Sequence, residues 1–416
     1  MTDKKIKHKL LLKDISYSVG SKKILHSISI EQDEGELIGL IGPNGSGKTT
    51  LLKVMSGIIK PSYGSAYING AEVREMKDKK RAQLIGYMPQ DNNYNFHLNI
   101  LDVVLFGRYP YIGRMEKYGR NDLSIAERML EYVGLKDYKN RYFDTLSGGE
   151  KQLVVFAKVL AQETKYLFLD EPTSNLDIKH QYKLFSMAYE LSKEGKIVIT
   201  AVHNLNVASQ HCDKLILLKS GSIVKEGSIG AVLTPEIISS VYDVKAAVSV
   251  NASTGARLVS VMPSPVKKLG ITIHIIGGAG SGVNLTRELL RLGVNVTGGI
   301  THSYDSDFLL WNSAGVKCLS VAPFSQIEDE DINRAKNFVR KADLTVLCPF
   351  PIGKGNFRNL LLAMEAKKLI ILEDSKENKS RVFFYRDAES IYNKLLSTAE
   401  VMNLESFLES INRGMV

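Results

Sequence analysis

The stretch "GPNGSGKTT", Gly42 to Thr50, carries the clearest chemistry in the sequence. It fits the pattern G-x-x-x-x-G-K-[ST] in full and lies between a strand-like run, "ELIGLIG", and a helix-like run, "TTLLKVMSG". Glycines here let backbone amides wrap a phosphate. In this reading Gly42, Pro43, Asn44, Gly45, Ser46, Gly47, Lys48, Thr49 and Thr50 form the cradle of a nucleoside triphosphate. Lys48 adds a cation near the β- and γ-phosphates, and Thr49 offers a hydroxyl to Mg²⁺.

A second cluster supplies acids. "YLFLDEP", residues 166–172, is an apolar run ending in Asp170, which a strand would deliver beside the cradle to hold Mg²⁺. Glu171 follows and could orient or deprotonate an attacking water. His203 closes another apolar run, "KIVITAV", at the sheet edge where open α/β sheets bind ligands, and is placed to reach the γ-phosphate or the water. Gln90, in "YMPQD", reads on its own as a polar loop residue.

"LSGGEKQ", residues 146–152, raises a different question. Ser147 and Glu150 scan as a capping box that starts a helix. A capping box does not need Gly148 and Gly149, which weaken a helix. Two glycines at a helix N-terminus let an anion approach the bare amides. The chain's own triphosphate already has its cradle at Lys48. The expected anion is therefore the γ-phosphate held by a second copy of the chain, in a two-fold dimer with two equivalent sandwiched nucleotides.

Taken together, "GPNGSGKT", Gln90, "LSGGE", "LFLDEP", "SNLD" and His203 resemble an ABC-type ATPase subunit over residues 8–245. The resemblance implies a Walker A loop, a Q-loop at Gln90 that also reaches Mg²⁺, and a signature at Ser147, Gly148, Gly149 and Glu150. It further implies a Walker B strand with Glu171 catalytic and Asp170 at the metal, a D-loop with Asp177, and His203 as the switch histidine. Tyr17 is the candidate to stack on adenine, although the usual spacing falls nearer Val19. Asn204 stands where aspartate is common, and Lys158 where arginine is frequent. The stretches "VLFGRYPY", "EPTSNLDIKHQ", "VHNLNVASQHCDKLILLKSGSIVKEG" and "LTPEIISSVYDV" are similar to importer ATPases of the iron-siderophore, haem and vitamin B12 group. Such subunits work as a pair under two membrane permeases fed by an extracytoplasmic substrate-binding protein. The resemblance implies ATP and Mg²⁺ as ligands, a place at the cytoplasmic face of the membrane, and cobalamin as the first cargo candidate. The alternative is a non-transport ABC ATPase whose C-terminal part binds or processes a small metabolite.

These residues need a scaffold of alternating strands and helices, which the chain offers twice. Residues 8–263 read as a P-loop α/β domain with a helical subdomain, ending in a hairpin, "AVSVNASTGARLVSVM". "PSPVKK" then interrupts all periodicity. From 268 to 416 a new alternation, "ITIHIIGG", "VNVTGG", "VKCLSV", "DLTVLC", "LIILED", predicts a smaller Rossmann-like α/β domain, whose role is unknown with regulation the candidate. Its turn "GGAGSGVN", Gly277 to Asn284, has a P-loop outline with Val283 in place of the lysine and fails the dinucleotide pattern. That turn predicts either a weak or differently charged ligand, or a tight turn with none. "CPFPIGKGNFRN", residues 348–359, adds a second glycine-rich loop at the same edge. This half is similar to the extra C-terminal domain of some importer ATPases.

The bulk numbers agree with this organisation. The 416 residues allow two or three cores, and the longest apolar runs fall well short of a membrane span. The N-terminus lacks a secretory apolar core, so no cleaved signal is expected. The three cysteines are isolated, without metal spacing, as in a reducing compartment. The net charge of +9 is scattered, which argues against nucleic acid as a partner. A ribosomal ABC protein would carry two cassettes, and a DNA-repair ATPase a long coiled coil; the sequence has neither.

Overall fold

The computed structural model describes residues 9–90, 97–113, 115–173, 176–262, 269–373 and 382–414. It divides into two compact units. One holds the residues up to Asp243 together with Val250–Val259, and the other holds Val244–Ser249 with the residues from Ser260 onward. The expected hairpin forms from Ala246–Val250 and Arg257–Val261. The break "PSPVKK" at 263–268 lies outside the described residues.

The first unit is built on a six-stranded sheet. Across it the order is Ser222–Ser228, Lys214–Lys219, Leu37–Ile41, Ile197–Ala201, Tyr166–Asp170, Ile85–Met88. The first pair is antiparallel and the rest are parallel. Every residue of Leu37–Ile41, Tyr166–Asp170 and Ile197–Ala201 is buried, as unbroken apolar runs covered on both faces must be. A second sheet is antiparallel, ordered Lys22–Asp33, Lys9–Val19, Tyr63–Ile68, Ala71–Glu72.

The helix Lys48–Met55 joins the two sheets energetically. Its Leu51, Leu52, Val54 and Met55 share one apolar cluster with Leu10 and Ile28 of the antiparallel sheet and Phe168 and Ile199 of the parallel one. It stops at Gly57, whose φ is +71°, where the amides of Gly57 and Ile58 turn back to the carbonyls of Val54 and Lys53. Three further helices, Ile100–Leu105, Arg120–Tyr132 and Gly148–Leu160, pack on one another as the expected helical subdomain. Arg108 pins that subdomain from inside. It is 3% exposed and donates to Asp122, Glu163 and the carbonyl of Ala161.

The second unit is an all-parallel sheet with helices on both faces. Its strands are Thr272–Ile276, Asn295–His302, Lys317–Val321, Leu344–Leu347, Leu369–Leu372 and Glu400–Met402. Numbered one to six in that sequence, they lie in the order 3-2-1-4-5-6. This is a doubly wound order, and it agrees with the Rossmann-like α/β domain expected from the five apolar runs. The sixth strand, three residues long and mostly exposed, carries no apolar signal. One cluster around Trp311, Leu289 and Phe407 and another around Phe350, Leu360 and Tyr392 make its two cores.

Candidate functional site

The glycine loop after Leu37–Ile41 closes around its own lysine. Gly42 has φ +150°, and a Cβ there would lie 2.2 Å from the carbonyl oxygen of Leu218. Gly47 has φ +102°, and a Cβ there would press on Leu25. Neither position accepts a side chain. Lys48 is 5% exposed, and its ammonium donates to the carbonyls of Gly42 at 2.8 Å and Pro43 at 3.2 Å. Burial lowers its pKa, and the carboxylates of Glu171 and Asp170 work against that loss. The cation is thus held ready at the mouth of the loop by groups that a phosphate can replace.

The acids lie across from it. Asp170, 1% exposed, ends its strand and accepts from the Thr49 hydroxyl on one oxygen and from the Tyr87 hydroxyl on the other, both at 2.9 Å. Tyr87 is a site residue that the sequence reading missed. Its strand Ile85–Met88 pairs directly with the Asp170 strand, and only its place three residues before Gln90 hints at the role. Burial, with the Asp170 charge adding to it, raises the Tyr87 pKa, so the phenol remains a donor. Glu171 has a left-handed backbone, φ +46°, uncommon for a residue with a side chain. Gln90 Nε2 donates to its Oε2 at 2.8 Å.

A cavity of about 860 Å³ joins these groups, lined by the residues from Asn44 to Thr50 with Gln90, Glu171 and His203. His203 lies two residues past the end of Ile197–Ala201, not within it. Asn204 caps the next helix by accepting from the amides of Asn206 and Val207, a task an aspartate would perform equally well. Lys22, Lys23, Ile24 and His26 also line it. Tyr17 is not among the described residues lining this cavity. Strand pairing slips on both sides of it, and its ring is half-buried against the core. The stacking role expected of Tyr17 therefore has no support in its position.

The signature residues stand apart from that cavity. Ser147 caps the helix Gly148–Leu160 in a full capping box. Its hydroxyl donates to Glu150 at 2.7 Å, its amide donates to Glu150 at 2.9 Å, and the Glu150 amide returns to Ser147 Oγ. These Ser147 hydrogen bonds hold the Glu150 pKa below its usual value, with Arg141 and His180 adding to the effect. Ser147 and Gly148 are exposed, and a Cβ on Gly148 would meet nothing within 4 Å. Gln152 Nε2 donates to the carbonyl of Pro172, which ties this helix to the loop that carries Glu171. Asp177 caps the following helix, Ile178–Lys193. Ser174 and Asn175 of "SNLD" lie outside the described residues. Burial lowers the pKa of Lys158.

The glycine turn of the second unit is a different object. Its Ala279 amide donates to Asp305 Oδ2 at 2.7 Å, and Asp305 Oδ1 caps the helix Ser306–Ser313. Asp307 is fully buried, and a Cβ on Gly277 or Gly282 would come within 3.1 Å of its carboxylate oxygens. Burial, then the Asp305 charge, pushes Asp307 up to about 6, against the pull of the amides of Gly282, Gly280 and Gly278. Those amides lie near its oxygens without reaching hydrogen-bond geometry. Phe350, from the second glycine-rich loop, packs on Gly278. The turn thus encloses the chain's own carboxyl. Of the two readings the sequence left open, this geometry favours a tight turn packed against its own chain.

Comparison with known proteins agrees with the first unit's geometry. Residues 25–174 match the ABC transporter family, and residues 296–408 match the MJ0874 family. The cobalamin import ATP-binding protein BtuD of Halobacterium salinarum is 33% identical over 318 residues, covering 76% of this chain and 79% of its own. The petrobactin import ATP-binding protein YclP of Bacillus subtilis is 38% identical over 234 residues, 56% of this chain and 92% of its own. Among solved structures, an inward-facing ABC transporter described as metal-chelate type superposes with a TM-score of 0.54 at 26% identity. It covers 61% of this chain and 97% of that one.

Proposed function

The chain belongs to the ABC transporter ATP-binding proteins as an ATPase, and we propose that it powers an importer of cobalamin, an iron-siderophore or haem. Cobalamin is the first candidate. The cobalamin relative aligns over 318 residues, more than the first unit contains, so its likeness reaches into the second unit. The chain acts as a homodimer at the cytoplasmic face of the membrane, below two permease subunits that an extracytoplasmic binding protein loads. No helix among the described residues is long and apolar enough to cross a membrane.

In this mechanism the amides of Gly45 to Thr49 and the Lys48 ammonium hold the β- and γ-phosphates. Glu171 takes the proton of the attacking water, with Gln90 holding its carboxylate, and His203, from the same cavity lining, reaches the γ-phosphate. Thr49, Asp170 and Gln90 offer a hydroxyl, a carboxylate and an amide oxygen, the hard donors that suit Mg²⁺. That ion, when bound, supplies positive charge to the phosphates. Residues 268–416 form a regulatory domain.

The observation that carries the dimer is the exposure of Ser147 and Gly148, away from the chain's own cavity. The test is Glu171→Gln. The amide keeps an acceptor for Gln90 but cannot take a proton. Phosphate release should fall by about 10²- to 10⁴-fold while ATP is still bound. Sizing should show a dimer with ATP and a monomer without it. A monomer under both conditions refutes the sandwich.

A further inference from the structure

We propose that His180 is a positioning residue that sets the signature turn at the correct distance from Asp177, so that both meet the partner's nucleotide together. The inference rests on the sandwich dimer above and adds to it a residue outside the phosphate-contacting motifs.

His180 lies in the first turn of the helix that Asp177 caps. Asp177 Oδ1 accepts from the His180 backbone amide at 2.8 Å and lies 2.7 Å from its ring Nδ1. The His180 hydrogen bonds hold the Asp177 pKa low, so that oxygen is an acceptor only and Nδ1 carries the proton. The cap and the ring are therefore locked together. The other face of the ring lies on the signature helix. A Cβ on Gly149 would fall 2.8 Å from His180 Cγ and 2.9 Å from Nδ1. No side chain fits at position 149 while the ring stays bonded to Asp177.

The two glycines of "LSGGE" thus have separate reasons. Gly149 is bare because a ring of its own chain rests on it. A Cβ on Gly148 would meet nothing among the described residues, so its missing side chain is left for something else to use. In the proposed dimer, Ser147, Gly148 and Asp177 all meet the neighbouring nucleotide. A wedge between them fixes their spacing before the second copy arrives, so the docking surface is organised in advance.

The test uses the full chain in the Glu171→Gln background, with ATP-driven dimerisation followed by light scattering. His180→Ala should raise the ATP needed for half-dimerisation at least tenfold. The affinity of the dilute monomer for a fluorescent ATP analogue should stay within twofold, which also shows that the variant is folded. His180→Asn, whose amide nitrogen can take the place of Nδ1 on Asp177, should keep most of the dimerisation. Gly149→Ala should block the dimer, and Gly149→Ala/His180→Ala should regain part of it by giving the new methyl room. Gly148→Ala should gain nothing from the same second change. If His180→Ala dimerises like its parent, if it loses monomer ATP affinity, or if the double variant is no better than Gly149→Ala, the inference is overturned. If the Glu171→Gln parent itself stays monomeric, the sandwich reading fails and takes the inference with it.

Discussion

Tyr87→Phe removes a single hydroxyl from the nucleotide site and should be felt through the metal. That hydroxyl donates to Asp170 Oδ2 at 2.9 Å, while the Thr49 hydroxyl donates to Oδ1 at the same distance. Asp170 is buried, and these two hydroxyls give its carboxylate oxygens their hydrogen-bond partners. When Thr49 turns to a metal, Tyr87 is the donor left holding the carboxylate in place. A hydrogen bond to a charged group contributes about 1.5–3 kcal/mol, or about 10- to 150-fold in an equilibrium constant. The Mg²⁺ concentration that half-activates phosphate release at saturating ATP should therefore rise about tenfold or more in Tyr87→Phe. The rate at saturating Mg²⁺ should change by no more than a few fold, because Lys48, Gln90 and Glu171 are untouched. The assay is phosphate release titrated with free Mg²⁺, beside a thermal midpoint measured without nucleotide. A lowered midpoint with an unchanged Mg²⁺ requirement would show that Tyr87 only braces the strand pair. No change in either would refute the reasoning.

Lys48→Ala should nearly abolish ATP binding and turnover, because partial charges on amides cannot balance a triphosphate; near-normal hydrolysis by the purified variant would remove the site assignment. Ser147→Arg should leave monomer ATP affinity unchanged and abolish ATP-driven dimerisation in the Glu171→Gln background. A lost monomer affinity would mean that the signature serves its own chain's nucleotide. Asp307→Asn should stabilise the second unit at neutral pH. The native carboxyl, raised from 3.8 to about 6, is mostly protonated in folded and unfolded chains alike below about pH 3, so it costs little there. The cost of ionising it in the fold grows between about pH 3 and 6 and reaches about 3 kcal/mol above that. The variant's higher melting midpoint at pH 7.5 should therefore vanish near pH 3, and an equal or lower midpoint at pH 7.5 would refute the account.

What the sequence made legible depended on how local the governing physics is. The run Gly42 to Thr50 declares itself because a phosphate cradle needs glycine, lysine and hydroxyl at fixed spacing between one strand and one helix. Asp170 and Glu171 are legible only beside that cradle, since two acids after an apolar strand are otherwise more often a surface turn. Tyr87 and His180 are not. Each acts on a residue distant in the chain, Asp170 and Gly149, and the contact exists only once strands pair or helices pack. Tyr17, the candidate to stack on adenine, lies between two slips in strand pairing with its side chain partly buried beside the core, and such slips are invisible in the residue pattern. The two glycine turns show why such motifs need structure to separate them. Gly42–Lys48 and Gly277–Val283 share an outline, and each closes a parallel strand at the start of a helix. In the first, glycines keep a cation at the mouth and leave the amides for a ligand. In the second, glycines make room for Asp307 behind the turn, and Asp305 takes the Ala279 amide in front. A phosphate approaching that second turn would meet two carboxyl groups where the first offers an ammonium. The same glycines thus serve an anion from outside in one unit and an anion from within in the other, and the charge beside them decides which.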